Sequence, residues 1–302
     1  MSRAGARDVI SIDLGGTHLR AAVIGPGGEI REQRRIDTPA EDPHPDALVE
    51  LVRSVAATRP IEEAVVGVPG RVNYTDGVLE YAPHLPQGWL TDLSRANLSA
   101  RTGLRVHICN DAELAAAGEA TFGAGRGSAD VVYLTISTGI GAGVVQNGRA
   151  VHGTRSMPEP GHTIVDVRAL EEGRPWSMEE FASGSALGRR ARELGLGTSG
   201  SDVLQGLEDD DPRAIQIWNE ALPVIHAAVF NLAMWFSPEV ILIGGGVGLN
   251  ARGLLESLRS WLAEHPPLGL PAIRVERAQL GDDAGLVGAA AWTRMFPGDL
   301  GG

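Results

Sequence analysis

The stretch Val9-Ile10-Ser11-Ile12-Asp13-Leu14-Gly15-Gly16-Thr17-His18-Leu19-Arg20-Ala21-Ala22-Val23-Ile24 decides the fold. A β-branched, partly alternating run enters a pair of glycines, and a second run of the same kind leaves it, so the segment predicts a β-hairpin. Gly25-Pro26-Gly27-Gly28 marks a further turn, and Glu29 to Ile36 supplies a third strand for the same sheet. The pattern starts over at Val131: Val131 to Ile136 reads as a strand, Ser137-Thr138-Gly139-Ile140-Gly141 as a glycine turn, and Ala142 to Val145 as the returning strand. Two hairpin starts, each followed by helices and short strands, predict an α/β chain of two related domains around a cleft.

Between and after the hairpins, helix alternates with strand. Leu48, Leu51, Val52 and Val55 keep helical spacing, and Ala64 to Val68 is a short buried strand ending at Pro69-Gly70. Val106 to Cys109 is another strand, and the Ala-rich segment from Ala112 to Thr121 favours helix. From Ile215 to Phe236 apolar residues step by three or four, which marks a long core helix that Pro223 should kink or divide. Glu239 to Ile243 runs as a buried strand into Gly244-Gly245-Gly246. The Gly-, Ser- and Asp-rich stretch from Gly195 to Pro212 reads as a loop, and Gly298 to Gly302 as a frayed tail.

Composition narrows the chemistry. A chain of 302 residues suits about two domains of roughly 150 residues and excludes a small disulfide scaffold. All 26 basic residues are Arg, which removes lysine Schiff bases and the phosphate-loop lysine. A net charge of -12 argues against nucleic acid and anionic membrane as partners and for a small ligand. The lone Cys109 excludes an internal disulfide and a multi-thiolate zinc site, as expected of a cytoplasmic protein. No run approaches the roughly 20 apolar residues of a membrane span, and MSRAGARDV lacks a signal-peptide core.

Each motif carries two readings. Asp13-Leu14-Gly15-Gly16-Thr17 is either a plain hairpin turn or a phosphate cradle whose carboxylate recruits Mg²⁺. Thr135 to Gly143 offers the same pair of readings in the second half. Gly244-Gly245-Gly246 fails the G-x-G-x-x-G test at Leu249, which leaves a tight strand-to-helix turn or a flat backbone surface for an adenosine. Asn110-Asp111 is either a helix cap or a base with a neighbouring hydroxyl holder. Glu159-Pro160-Gly161-His162 and Glu179 add acceptors. No H-E-x-x-H pair and no G-x-S-x-G elbow is present.

In order, Ile12 to Thr17, Asn110 to Gly127 (NDAELAAAGEATFGAGRG), Leu134 to Gly143, Glu159 to His162, Glu179 to Gly184 (EEFASG), Pro238 to Val247 (PEVILIGGGV) and Leu280 to Ala290 (LGDDAGLVGAA) resemble the ROK family of sugar kinases and repressors. The resemblance covers nearly the whole chain. It implies the actin-like ATPase (ribonuclease H-like) fold, with residues 1–113 and 285–302 as a small domain and 114–284 as a large one. It also implies an ATP- and Mg²⁺-dependent kinase acting on a hexose hydroxyl, glucose first, with N-acetylmannosamine, mannose or fructose as alternatives, and a homodimer through the second domain. By position, Asp111 becomes the general base, and Gly70, Asn110, Glu159, His162 and Glu179 meet the sugar. Gly15, Gly16, Thr17, Thr138 and Gly139 cradle the phosphates, Gly245 and Gly246 lie against adenosine, and Asp13 orients Mg²⁺.

The departures are specific. Many members of the family carry C-G-C-x-x-x-G-C before the second Glu; its cysteines fall here at Leu170, Glu172 and Ser177, so no zinc is expected and His162 is released from metal binding. Packing or hydrogen bonding around Trp176 and Phe181 is then expected to hold Glu159 and His162. His84 stands where Asn is common, Ser137 where Gly is usual, and His18 where Lys or Asn is common. These leave a non-catalytic sugar-binding or regulatory member as a competing expectation. A repressor needs a DNA-binding segment of dozens of residues, and only twelve precede Asp13.

Overall fold

The computed structural model describes residues 7–295 except 40, 43, 58, 84 and 87. His84 and the tail from Gly298 to Gly302 therefore lie outside the described residues. Contacts divide the chain into two compact units: residues 1–127, 148–157 and 282–302, and residues 128–147 and 158–281.

The first unit is built on a sheet of β1 (Val9–Leu14), β2 (His18–Ile24), β3 (Ile30–Asp37), β4 (Glu63–Val68) and a last strand, Arg105–Asn110, in the order β3-β2-β1-β4 and then that strand. The hairpin partners pair antiparallel, with Leu14 opposite Leu19. β1 and β4 pair parallel after a crossover through α1 (Asp46–Ala56), whose buried Leu48, Leu51, Val52 and Val55 are those picked out by spacing. A small hairpin of β5 (Arg71–Asn73) and β6 (Val78–Tyr81) follows β4, then helices α2 (Trp89–Asp92) and α3 (Arg95–Thr102). The Arg105–Asn110 strand, β7, runs straight into α4 (Asp111–Phe122).

The second unit repeats the opening. β8 (Val131–Ile136) and β9 (Ile140–Gln146) form an antiparallel hairpin. A two-residue strand, β10 (Arg149–Ala150), falls among the residues of the first unit. In the second unit, β8 pairs parallel with β11 (Val240–Gly244), and β11 with β12 (Arg274–Arg277). The helices of this unit are α5 (Val167–Glu171), α6 (Met178–Ala182), α7 (Gly184–Glu193), α8 (Gly200–Glu208), α9 (Pro212–Phe236), α10 (Gly245–Asn250) and α11 (Leu254–Glu264). α12 (Ala284–Met295) returns to the first unit.

One expectation is corrected, and one of a pair of alternatives is removed. The stretch from Gly195 to Pro212 is not all loop: α8 occupies its middle, because Ser199 Oγ accepts from Asp202 N and Asp202 Oδ2 accepts from Ser199 N at 2.9 Å, a capping box that outweighs the loop-like composition. Pro223 does not divide α9, which stays one 25-residue helix. A mid-helix proline costs about 3 kcal/mol. Burial of Ile217, Trp218, Ile225, Val229 and Leu232 on one face, at about 1.5–3 kcal/mol each, is the larger quantity.

α4 belongs wholly to the first unit, so the boundary expected after residue 113 falls inside a helix that α12 holds in place. The two helices meet at backbone distance. A Cβ on Gly288 would stand 1.9 Å from the Leu114 carbonyl oxygen, and one on Gly118 would stand 2.6 Å from that of Ala284. Gly288→Ala gains about 1 kcal/mol of helix propensity but must separate the helices, an overpacking that costs typically 1–3 kcal/mol or more. Urea unfolding should show a net loss of stability; a variant as stable as wild type would contradict this contact.

Candidate active site

The first hairpin turn is closed by Gly15 N donating to His18 O at 3.0 Å. Thr38, just past β3, ties it back: its N–H donates to Thr17 O at 2.8 Å and its hydroxyl to Gly15 O at 2.7 Å. Among the described residues Gly16 and Thr17 donate no backbone hydrogen bond, and both are exposed. Asp13 sits opposite Arg20 on the hairpin, and its Oδ2 accepts both Nε at 2.9 Å and Nη2 at 2.6 Å. Arg20 also donates to Asp283 Oδ1 at 3.0 Å and to Asp282 O at 2.6 Å, so the guanidinium orients Asp13 against the start of α12.

The same unit brings Gly70, Asn110 and Asp111 together. Asn110 Oδ1 accepts from Ala112 N at 3.0 Å and Glu113 N at 3.1 Å, which makes it the N-cap of α4. Its Nδ2 donates to Gly70 O at 3.0 Å. Both acceptor positions of Oδ1 are thus engaged, and the side chain retains one N–H to offer a ligand. Gly70 lies at φ +129°, and a Cβ there would stand 2.0 Å from Tyr81 O, so only glycine fits. Asp111, the first residue of α4, is exposed, with Oδ1 accepting from Ala112 N at 2.8 Å.

In the second unit the turn Ser137-Thr138-Gly139 joins β8 to β9, with Ser137 N donating to Gly139 O at 2.9 Å. Among the described residues Thr138 and Gly139 donate no backbone bond, as at the first turn. The carbonyls of Ser137 and Thr138 are held by Gly184 N at 2.7 Å and Ser185 N at 3.2 Å, from the start of α7. Glu179, on α6, accepts from Ile140 N at 2.8 Å through Oε2. Its Oε2 would stand 2.7 Å from a Cβ on Gly139 and 3.2 Å from one on Gly161. Glu179, the phosphate-type turn and the 3-10 turn Pro160–His162 are therefore packed together. His162 is exposed, and its N–H donates to Glu159 O at 3.2 Å.

Gly245 has φ +79°, and a Cβ there would stand 2.4 Å from Ile136 O, while Gly246 faces open space. Beside them opens a cavity of about 760 Å³ whose lining includes Thr138, Ser185, Gly246 and the Ser199–Ser201 end of α8. The wall formed by α8 is the part that composition concealed.

The segment around the expected cysteine positions is fastened by its backbone. Val165 N donates to Trp176 O at 2.9 Å, Met178 N to Thr163 O at 3.2 Å, and Ile164 bridges Ser177. Ser177 is the N-cap of α6 in a capping box with Glu180, Leu170 is exposed, and Glu172 accepts from Arg174 Nε at 2.7 Å. Trp176 takes part through its main chain, its N–H donating to Glu180 Oε2 at 3.1 Å. Among the described residues no group of three or more His, Cys, Asp or Glu is placed to hold a metal ion.

Arg20, Thr38, Tyr74 and Glu113 were not among the expected site residues. Arg20 and Glu113 each left a signal: opposite charges across a hairpin for the first, and Asn110-x-x-Glu113 as a capping-box pattern for the second.

With this geometry in hand, the model of the ROK family matches residues 9–295. The chain belongs to the ROK family. It is 34% identical over 290 residues to the bifunctional enzyme NanE/NanK of Brucella melitensis, covering 93% of this chain and 53% of that protein, so it spans about half the length of that relative. It is 31% identical to the N-acetylmannosamine kinase of Escherichia fergusonii, covering 93% of this chain and 96% of that one. A ROK family glucokinase from Streptomyces griseus, solved with glucose and AMPPNP, superposes with a TM-score of 0.77 at 30% identity, covering 96% of this chain and 100% of that one. The fold is that of the actin-like ATPases, with two sheet domains.

The cap that carries Glu179 is pH-dependent. Hydrogen bonds from Ser177 N–H and then Trp176 N–H hold the Glu180 carboxyl below its usual range. A carboxylate depressed in the folded state stabilises above its unfolded pKa and loses that contribution as pH falls through the folded value. The Tm difference between wild type and Glu180→Gln should therefore be largest near neutrality and shrink toward pH 3. A difference independent of pH would refute the ionised cap.

Proposed function

We propose that this ROK chain is an ATP-dependent sugar kinase that phosphorylates a hexose, with the 6-hydroxyl of glucose as the first choice. The observation that carries the proposal is Asp111, an exposed carboxylate fixed by the Asn110 cap beside Gly70. The relative solved with glucose and AMPPNP supports the choice of sugar and donor. The similarity to an N-acetylmannosamine kinase favours N-acetylmannosamine as the second choice. Mannose and fructose follow.

In this reading Asp111 accepts the hydroxyl proton as the sugar oxygen attacks the γ-phosphorus, and the β–γ bridging oxygen leaves with ADP. Asn110 offers its remaining N–H to a neighbouring sugar oxygen. Glu159, His162 and the second oxygen of Glu179 hold further hydroxyls, and Gly70, whose carbonyl orients Asn110, lies close to the ring. The unengaged amides of Gly16, Thr17, Thr138 and Gly139, with Gly15 shaping the first turn, bind phosphate oxygens. Gly245 and Gly246 lie against adenosine in the cavity beside α8.

Both Arg20 bonds fall on Asp13 Oδ2, so Oδ1 can take a Mg²⁺ ion or one of its waters. A Mg²⁺ ion held there would supply charge neutralisation for the phosphates. Structural zinc is not part of the proposal: main-chain bonds and two capped helices fasten residues 163–180. Among the described residues no helix is long and apolar enough to cross a membrane. A cytoplasmic homodimer that binds neither nucleic acid nor membrane completes the reading.

ADP release measured over a panel of hexoses with ATP or polyphosphate tests it. Wild type should turn over with ATP and a hexose, and Asp111→Asn should be about 10²- to 10⁴-fold slower. Equal rates would remove Asp111 from its role, and sugar binding without turnover with any donor would favour the regulatory reading. Metal analysis of the purified protein should find no stoichiometric zinc; one zinc per chain would overturn the account of residues 163–180.

A further inference from the structure

We infer that Glu113 and Tyr74 are positioning residues for Asn110 and Asp111, an inference that rests on the kinase reading above. Glu113 is 2% exposed, in the first turn of α4, two residues after Asp111. In a capping box the carboxylate at this place accepts directly from the N–H of the N-cap residue. Here the Tyr74 hydroxyl is inserted between them. Asn110 N–H donates to Tyr74 Oη at 3.2 Å, and Tyr74 Oη donates to Glu113 Oε2. The other carboxylate oxygen, Oε1, accepts from Met157 N at 2.6 Å.

The relay is buried throughout and well suited to hold one geometry. Tyr74 is 4% exposed. Burial, and secondly the Glu113 carboxylate, push its hydroxyl well above the usual phenol range, so the proton stays in place to be donated. Tyr74 itself is anchored by its N–H to Thr154 O at 2.8 Å and by rings on two sides, His152 with centroids 4.6 Å away and Trp292 at 5.9 Å. Every bonding group of Asn110 but one side-chain N–H and its carbonyl is thereby assigned: main-chain N–H to Tyr74, Oδ1 to the helix, Nδ2 to Gly70. Asp111 is the next residue, so the relay fixes the backbone from which the base projects. Misplacing a reacting group by about 1 Å can cost on the order of 10²-fold in rate.

The test is steady-state kinetics on the best hexose with Tyr74→Phe, Glu113→Gln and Glu113→Ala. Tyr74→Phe leaves the Asn110 N–H and the Glu113 carboxylate without that hydroxyl. Glu113→Gln can still accept from Tyr74, but its amide would face the Met157 N–H, so it should lose less than Glu113→Ala. The expected result is kcat lowered about 10- to 100-fold in Tyr74→Phe and Glu113→Ala, less in Glu113→Gln, with the KM for ATP within about two-fold of wild type. Val65→Ala, a cavity variant in β4 away from the relay, controls for stability: it should lower Tm and keep kcat. Near-wild-type kcat in Tyr74→Phe and Glu113→Ala, while Asp111→Asn is impaired, would overturn the inference and leave the kinase reading standing. Loss of kcat in proportion to Tm across all variants, Val65→Ala included, would also overturn it, by making the relay merely structural. Absence of turnover in wild type on every hexose and donor would instead bring down the kinase reading, and this inference with it.

Discussion

The start of α4 in the first unit depends on the contact between α4 and α12, which two glycines bring to backbone distance. Helices with ordinary side chains at the crossing stay 8–10 Å apart between axes. Without Cβ atoms at Gly118 and Gly288 the main chains touch, and the start of α4 is set by main-chain contact. Flexible side chains have little part in it. Asn110 then converts a helix position into a site by holding the cap, the Gly70 carbonyl and the Tyr74 hydroxyl at once. Asn110 is the cap of α4, and the proposed base, Asp111, is the residue that follows it.

The segment from Thr163 to Ser183 solves a different problem. A structural zinc supplies about 10–16 kcal/mol in small metal-folded domains, whereas an N-cap supplies about 0.5–2 kcal/mol. The caps at Asp166, Ser177 and Ser183 therefore define helix starts but cannot replace a chelate by themselves. What fixes the site-facing side is Glu179 on the Ile140 amide, together with Gly161 against the Ile140 carbonyl. Both contacts are to β9, a strand of the central sheet of the unit. Through them Glu179 and the neighbouring turn are tied to the sheet.

The hairpins were legible because a glycine turn between β-branched runs is a local signal, and its recurrence at Val131 needed no alignment to be seen. Strand ends came within a residue or two for the same reason. α8 was hidden because Gly, Ser and Asp dominate its neighbourhood, although Ser199 and Asp202 three residues apart carried the capping signal. At Pro223, where a kink or a division was expected, division does not occur, since a local penalty says nothing of the buried face that offsets it. The partners of Asp13 and Glu113 lie farther from sequence reasoning. Arg20 is opposite Asp13 only once the register is fixed, and Tyr74 reaches Glu113 from a separate hairpin.

Charge ties these observations together. A chain with net charge -12 and no lysine has few means of neutralising a nucleotide's phosphates. Arg20, on the strand that leaves the first turn, is engaged by Asp13 and Asp283. The first amides of α7 are engaged as well: Gly184 on Ser137, Ser185 on Thr138 and Ala186 on the Ser183 hydroxyl. The donors at this helix terminus thus serve the turn and the cap. Among the described residues the main-chain N–H groups of Gly16 and Thr17 in one hairpin turn, and of Thr138 and Gly139 in the other, donate no backbone hydrogen bond, and the proposed phosphate contacts rest on them. They carry no formal charge, need no side-chain ordering, and are held outward because the carbonyls of both turns are tied down from behind. An acidic protein can bind a polyanion on such terms, since aligned amides and a cation carried by the ligand do what lysine does elsewhere.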